Sequence, residues 1–206
     1  MTDTLTQIAD ELRGVANLGL YFSRDDYDIE RYQKVLAASA RIVAALEGVP
    51  QHQVLGLYQQ NFTHVSPLAG AGTVVLKGCK ILLIKRNDDG LWAIPGGLVE
   101  VGETAAEAAQ RELFEEAGIR GEITRLLGVF DSRIWKSKTR MQLFHFVFQV
   151  ETDDPTPQTS TEALDVGYFS EDKLPPLSSG HHLRVPFFFK QLCGEVPIPF
   201  FDRASS

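Results

Sequence analysis

Cysteine is scarce in this sequence, which has only Cys79 and Cys193 among its 206 residues. Two distant cysteines provide neither the disulfide framework of a small secreted protein nor the four ligands of a structural zinc site. We therefore interpret both as reduced thiols of a cytoplasmic protein.

Long hydrophobic runs are also missing. No stretch approaches the roughly 20 consecutive apolar residues of a membrane-spanning helix. The first residues, Met1–Gln7, lack the basic region and the following apolar run of a signal peptide. We expect no targeting segment and no membrane partner.

An excess of positive charge is the third absence, since the formal net charge is −7. This balance argues against nucleic acid as a stable partner. It is compatible with a small anionic substrate, because a local cluster of cations or a bound metal overrides the global sign.

The hydrophobic pattern of the first third of the chain is helical. Apolar residues recur at helical spacing and predict a small helical hairpin over about 3–21 and 27–47. Two helices alone cannot bury both apolar faces, so the hairpin should pack on the rest of the chain or on a second copy, as in a homodimer. The predicted domains are a helical module over 1–65 and a larger domain over 66–206. The connector between them contains a possible short strand at Asn61–Val65.

The larger domain has an α/β pattern. A hairpin is predicted at residues 73–76 and 81–84, and a short strand runs into a glycine loop near Gly97. Further strands are expected at about 121–130, 142–150 and 163–169, and a last helix at about 180–192. Strands interleaved with two helices indicate a mixed sheet between helices.

The most informative segment is the helix predicted from Thr104 to Ala117. Glu112, Glu115 and Glu116 have i, i+3 and i+4 spacing, which places three carboxylates on one helical face. Like charges repel there, and a hard divalent cation such as Mg²⁺ would offset the repulsion. The alternative is a solvated acidic face without a metal.

Two neighbouring features support the metal interpretation. A backbone carbonyl from the loop at Gly97 could reach the ion, and Arg111 could hold a carboxylate such as that of Glu103. The helix also has a capping box at its start and Gly118 at its end.

At this point the residues resemble a known family. The run Gly97-x5-Glu103-x7-Arg111-Glu112-Leu113-x-Glu115-Glu116-x-Gly118-Ile119 matches every fixed position of the Nudix box. The resemblance implies a Nudix α/β/α sandwich that hydrolyses nucleoside diphosphates linked to another moiety. The N-terminal residues look like the helical module of a Nudix subgroup that includes enzymes acting on ADP-ribose and on CDP-choline.

The resemblance also implies roles for the box residues. Glu112, Glu115 and Glu116 would bind Mg²⁺, with Mn²⁺ as a substitute and a Gly97 carbonyl nearby. Arg111 and Glu103 would orient the cluster. The general base would be Glu112, Glu115 or a residue outside the box, for which our candidate is Glu162; its alternative is an exposed loop acid.

Substrate recognition is the least constrained part of the interpretation. Arg86 and Arg133 are candidates for contacting phosphate, and Trp135 for stacking on a base. The alternatives are a surface cation and a solvated hairpin tip. His181 and His182 lack further ligands for zinc, so we expect surface or helix-capping histidines.

Several functions are consistent with the sequence. The first is hydrolysis of an ADP-ribose- or CDP-choline-type substrate. The alternatives are house-cleaning hydrolysis of modified nucleoside triphosphates, removal of a 5′ pyrophosphate from RNA, and ligand sensing without catalysis. Low basicity weighs against RNA, and the complete set of box glutamates weighs against a non-catalytic module.

Overall fold

The structure, a computed structural model, describes residues 2–60, 66–139 and 142–203. The chain divides into two compact units, Met1–Pro67 and Leu68–Ser206. The strand predicted at Asn61–Val65 lies outside the described residues.

The N-terminal unit contains three helices: α1 (Thr2–Phe22), α2 (Asp26–Glu47) and α3 (Gln51–Gln60). The side chain of Asp25 caps α2 by accepting the backbone N–H groups of Tyr27 and Asp28 at 3.0 and 3.1 Å. The first two helices confirm the predicted hairpin. The third occupies what we expected to be a connector, and Val54 and Tyr58 on its inner face join the buried cluster of the unit.

The C-terminal unit is built on a mixed sheet. Its strands are β1 (Leu68–Lys77), β2 (Lys80–Arg86), β3 (Trp92–Ala93), β4 (Gly96–Leu98), β5 (Glu122–Asp131), β6 (Leu143–Glu151), β7 (Ala163–Phe169) and β8 (Phe200–Phe201). The order is β3-β2-β1-β6-β5-β8, with β4 paired to β1 and β7 paired to β2. The pairs β1–β6 and β5–β8 are parallel and the others are antiparallel.

Two helices, α4 (Ala105–Ala117) and α5 (His181–Leu192), complete an α/β/α sandwich. Successive side chains of a strand point to opposite faces, so Val74 packs in the cluster of α5 and Val75 in that of α4. Leu113 is the central apolar residue of α4 and is fully buried. The predicted fold class is therefore confirmed.

The α5 side is rich in aromatic residues. Phe130, Trp135, Phe187 and Phe200 form edge and stacked ring pairs with centroids 4.8–6.0 Å apart. Such pairs stabilise a core beyond the area that they bury. Phe187 and Phe200 therefore pack against the buried cluster around Phe130.

None of the described helices combines the length and the apolar character that crossing a bilayer requires.

Candidate active site

Local sequence signals fix the position of α4. Thr104 Oγ1 accepts the N–H of Glu107 at 3.2 Å, and the Glu107 carboxylate accepts the N–H of Thr104 at 2.7 Å. Gly118 ends the helix in the left-handed region at φ 68°, where glycine carries no Cβ penalty. The buried face of α4 packs on the sheet, so its acidic face is directed away from the core.

Arg111 ties the acidic face together. Its Nη1 donates to Glu112 Oε1 and Glu115 Oε2, each at 2.9 Å, and its Nη2 donates to Glu103 Oε1 at 2.8 Å. The same nitrogen donates to the carbonyl oxygen of Leu98 at 3.2 Å. These contacts hold the pKa of Arg111 above its usual range. The predicted orienting pair of Arg111 and Glu103 is present in the structure.

Glu162 meets the helix from another part of the chain. One carboxylate oxygen from each of Glu112, Glu115 and Glu162 lies within 4.8 Å of the other two. The side chain of Asn87 donates to the backbone carbonyl of Glu162 at 2.8 Å and anchors this loop position. Three carboxylates this close form an oxygen donor set that fits a hard divalent cation.

Glu116 is the most deeply placed glutamate of the ridge. Its Oε2 accepts the N–H of Gly96 at 2.8 Å. Burial raises the pKa of Glu116 to about 7, opposed by the Gly96 hydrogen bond and the charge of Arg86. Burial likewise raises the pKa of Glu112. The sequence predicted Glu116 as a metal ligand, but the group within 4.8 Å contains Glu162 instead.

Gly97 lies directly against the acidic cluster. A Cβ at this position would overlap the carboxylate of Glu112. Glycine is therefore the residue type that lets β4 approach the helix so closely.

A cavity of about 600 Å³ adjoins the cluster. Its acidic residues are Asp88, Asp89, Glu116 and Glu162, and its basic residues include Arg86 and Lys138. The cavity is large enough for a nucleotide-sized ligand, since small-molecule sites are commonly about 300–1,000 Å³. The site thus combines carboxylates for a metal with cations for phosphate.

Arg86 lines this cavity, as a phosphate-contacting residue would. Its Nε donates to Asp88 Oδ1 at 2.8 Å, and Asp88 raises the pKa of Arg86 further. The pair is partly exposed, so a phosphate could compete with Asp88 for the guanidinium.

The side chains of Arg133 and Trp135, which we predicted to contact the substrate, lie away from the cavity. The Arg133 guanidinium pairs with Asp131 at 2.8 Å. The Trp135 indole lies in the aromatic core, and its Nε1 donates to Asp202 at 2.9 Å. Neither lines the cavity. The connection between β5 and β6 that carries them reaches the cavity through Ser137, Lys138 and Thr139.

The cavity residues that were not predicted as site residues include His145, His181 and Arg184. We expected His181 to be a surface or a helix-capping histidine. It is the first residue of α5, it is buried, and its Nδ1 lies 2.9 Å from Ser178 Oγ. Arg184 is 1% exposed. One local signal for Arg184 was present in the sequence, since it is an arginine among apolar residues of the predicted last helix. Its position facing β6 depends on the tertiary fold.

His145, His181 and Arg184 form one wall of the cavity, in which burial lowers the pKa of every member. Burial lowers the pKa of His145 to about 3, with contributions from the charges of Arg184 and Arg86. Burial lowers the pKa of His181 in the same way. Both imidazoles are therefore neutral near pH 7, and Arg184 carries the charge of this wall. Burial lowers its pKa to about 10, so the guanidinium remains protonated.

Comparisons with known protein families match both units. A family model described as NUDIX domain matches residues 67–189. A second model, described as UDP-X-like, N-terminal oligomerisation domain, matches residues 3–58.

Individual relatives extend the comparison. YjhB of Bacillus subtilis (strain 168), for which ADP-ribose pyrophosphatase activity is inferred, is 33% identical over 171 residues, 82% of this chain and 82% of the relative. The ADP-ribose pyrophosphatase of Methanocaldococcus jannaschii is 33% identical over 121 residues, 57% of this chain and 70% of its own. A crystal structure of UDP-X diphosphatase, 24% identical, covers 95% of this chain and 97% of its own with a TM-score of 0.56. At that identity the likeness concerns the fold alone.

Proposed function

Because this chain belongs to the Nudix family and is a Nudix pyrophosphohydrolase, we propose that it hydrolyses the pyrophosphate linkage of an ADP-ribose-type substrate with Mg²⁺. The observation that carries the proposal is the meeting of Glu112, Glu115 and Glu162 beside a cavity that also contains cations. This arrangement suits a diphosphate, whose oxygens need both a metal and basic groups.

Divalent ions are the usual cofactors of Nudix hydrolases, and we propose Mg²⁺ here, with Mn²⁺ able to substitute. Glu112, Glu115 and Glu116 would hold the ion, with the Gly97 carbonyl nearby, and Glu162 faces the same cluster. When bound, the ion neutralises charge that develops on the phosphate oxygens. The clustered carboxylates then lose their mutual repulsion.

The residues of the chain perform the remaining tasks. A water molecule attacks one phosphorus, the phosphoanhydride bond breaks, and the products are a nucleoside monophosphate and the phosphorylated second moiety. We assign Glu162 to accept the proton of this water, because it approaches the cluster from outside the helix. Arg111 fixes Glu112 and Glu115 in their orientation, and Arg86 would contact a phosphate.

The substrate class rests on the relatives named for ADP-ribose. CDP-choline is the alternative, because the helical N-terminal module resembles that of a Nudix subgroup that includes enzymes acting on CDP-choline. A substrate of the modified nucleoside triphosphate type is a further candidate, since a curated relative in Bacillus subtilis (strain 168) is assigned as an 8-oxo-dGTP diphosphatase. The complete acidic cluster argues against ligand sensing alone.

We also propose a homodimer formed through the N-terminal unit. The model matched there is named for oligomerisation. Large apolar side chains remain exposed on that unit, among them Val15, Tyr21, Phe22 and Tyr27. A second copy covering them would remove this area from water. Light scattering should give twice the chain mass, and a monomer at micromolar concentration would contradict the proposal.

The test of the enzymatic proposal is a substrate panel assayed with Mg²⁺, with Mn²⁺ and with EDTA. ADP-ribose should give the highest kcat/KM, CDP-choline and 8-oxo-dGTP lower values, and EDTA should abolish turnover. A preference for triphosphates would overturn the substrate class. Full activity in EDTA would overturn the role of the metal.

A further inference from the structure

Arg184 is a buried cation without a carboxylate partner among the described residues. Its side chain lies in the cavity wall and is 1% exposed. Its Nε has no hydrogen-bond partner in the part of the chain that the structure describes. Its one hydrogen-bond contact there joins Nη2 to His181 Nε2 at 3.4 Å.

The surroundings of Arg184 add polar capacity but no negative charge. His145 Nε2 is also buried without a partner among the described residues. His145 pairs with Gly70 across β1 and β6, beside the carbonyl of Gly97. After burial, the charge that lowers the pKa of Arg184 is that of Arg86, which is also positive. This wall of the cavity therefore lacks the counter-charge that a buried guanidinium needs.

A guanidinium presents a planar fork of donors that matches a carboxylate or a phosphate. An oxyanion in the cavity would satisfy Arg184, and a neutral imidazole can donate one N–H to the same group. We propose that Arg184, assisted by the imidazole of His145, binds an oxyanion of the substrate at the floor of the cavity. His181 positions the guanidinium, because its Nε2 accepts from Arg184 Nη2 and its Nδ1 faces Ser178 Oγ. The proposal deepens the proposed function and rests on it for the identity of the ligand.

Arg86 connects this floor to the acidic cluster. Its charge acts on Arg184 and on Glu116 alike. Glu116, Glu162 and Arg184 all line the cavity, so a substrate that fills it would meet both the acidic cluster and Arg184. Two sources could supply the oxyanion: the diphosphate itself, or a carboxylate or phosphate on the second moiety.

The binding test uses inorganic phosphate and the full chain in EDTA, at constant ionic strength adjusted with sodium chloride. Without metal the acidic cluster repels phosphate, so phosphate binds at the cations that line the cavity, and the Arg184 variant decides whether Arg184 is one of them. Saturating phosphate should raise the Tm of the wild type by about 3 °C or more. The Arg184→Met variant should lose this shift and keep a Tm in phosphate-free buffer equal to or above that of the wild type. The matched control is Arg120→Met, which removes an exposed arginine stacked on Phe114 and should keep the phosphate shift.

Each outcome of this test is decisive. Equal phosphate shifts in Arg184→Met and Arg120→Met would overturn the proposal, as would the absence of a shift in the wild type. If Arg184→Met fails to fold, Arg184→Lys decides, because it keeps the charge but loses the fork. That variant should bind phosphate at least about 5-fold more weakly by calorimetry, and unchanged affinity would overturn the proposal.

A second experiment identifies the source of the oxyanion. ADP-glucose and ADP-glucuronic acid are of the ADP-ribose type and differ by one carboxylate on the second moiety. If Arg184 binds the diphosphate, Arg184→Met should lower kcat/KM for both by a similar factor of about 10 or more. If it binds the second moiety, the loss should be confined to ADP-glucuronic acid. Unchanged kcat/KM for both substrates would overturn a role in substrate binding.

The two proposals can fail separately. Glu116→Gln should lower kcat by about 10²–10³-fold and leave the phosphate shift in EDTA intact. A chain that binds phosphate through Arg184 but hydrolyses none of the panel would refute the enzymatic proposal and retain the anion site. A chain that hydrolyses ADP-ribose but shows no phosphate-induced rise in Tm would support the enzymatic proposal and refute the anion site.

Discussion

The backbone N–H of Gly96 donates to the carboxylate of Glu116 at 2.8 Å and joins the start of β4 to the acidic helix. Glu116 lines the cavity at this junction. A glutamine can still accept that hydrogen bond, but it removes the negative charge that a metal requires.

We therefore predict that Glu116→Gln retains the fold and lowers kcat by about 10²–10³-fold, as loss of other electrostatic elements does. Steady-state assays and circular dichroism measure the two effects. The control is Glu122→Gln, at the exposed start of β5, with wild-type kcat. Near-normal turnover in Glu116→Gln would refute the assigned role.

Gly97→Ala tests the close approach of β4 to Glu112. The added Cβ overlaps the Glu112 carboxylate, so that side chain must move and Mn²⁺ should bind more weakly. We expect kcat to fall at least about 10-fold, since small displacements at a reacting centre are costly. Gly56→Ala, where a Cβ meets open space, is the matched control. Equal kinetics for the two variants would contradict the geometry.

Glu162→Gln separates a proton-accepting role from a metal-binding one. A general base contributes about 10²–10⁴-fold to the rate, so kcat should fall by that factor while the Kd for Mn²⁺ stays within about 3-fold of the wild type. Paramagnetic resonance measures the Kd. A parallel loss of Mn²⁺ affinity would show that Glu162, which lies within 4.8 Å of Glu112 and Glu115, serves as a ligand instead.

Arg111→Met removes the cation that joins three glutamates. Without metal the carboxylates then repel one another, and we expect the free energy of unfolding to fall by about 1–3 kcal/mol. Millimolar Mg²⁺ should restore most of this stability, because the ion supplies the missing charge. Urea unfolding with and without Mg²⁺ measures both effects. Arg31→Met, which breaks an exposed pair with Asp28, should change stability by less than about 1 kcal/mol and show no Mg²⁺ response.

The pKa of His145 predicts a dependence of stability on pH. Its pKa is lowered from 6.5 to about 3 in the folded chain. As pH falls below 6.5, His145 becomes protonated in the unfolded chain but stays neutral in the folded chain. The free energy of unfolding therefore falls by about 1.4 kcal/mol per pH unit. His145→Gln should remove this contribution between pH 6.5 and 5.5 in buffers without oxyanions. Equal losses of unfolding free energy in wild type and variant would contradict it.

The sequence predicted the acidic helix because its determinants are local. Thr104, Glu107 and Gly118 specify where it begins and ends, and the spacing of its glutamates specifies one face. The longer strands of the sheet were predicted for the same reason, from short apolar runs between turn residues, whereas the short strands β4 and β8 were not.

The sequence did not predict the third helix of the N-terminal unit. Most of its residues are polar or glycine. Its buried side chains are those of Val54 and Tyr58, which pack on neighbouring helices. Such short helices are stabilised by tertiary contacts more than by propensity.

The cation wall was missed for a related reason. His145 lies on β6 whereas His181 and Arg184 lie on α5, and only the folded chain brings them to one cavity. Trp135 shows the converse error, since we predicted that its indole stacks on a base. Its indole instead contacts aromatic rings that are distant in the sequence.

Asp202 receives two donors from distant parts of the chain, the Trp135 indole at 2.9 Å and the Asp131 backbone N–H at 2.8 Å. These hydrogen bonds and the pairing of β8 with β5 attach the C-terminal segment to the edge of the sheet. Shortening the protein ahead of Phe200 would uncover Phe130 and its ring neighbours to solvent. Trimmed versions should consequently aggregate or resist purification, although every residue of the acidic cluster would still be encoded.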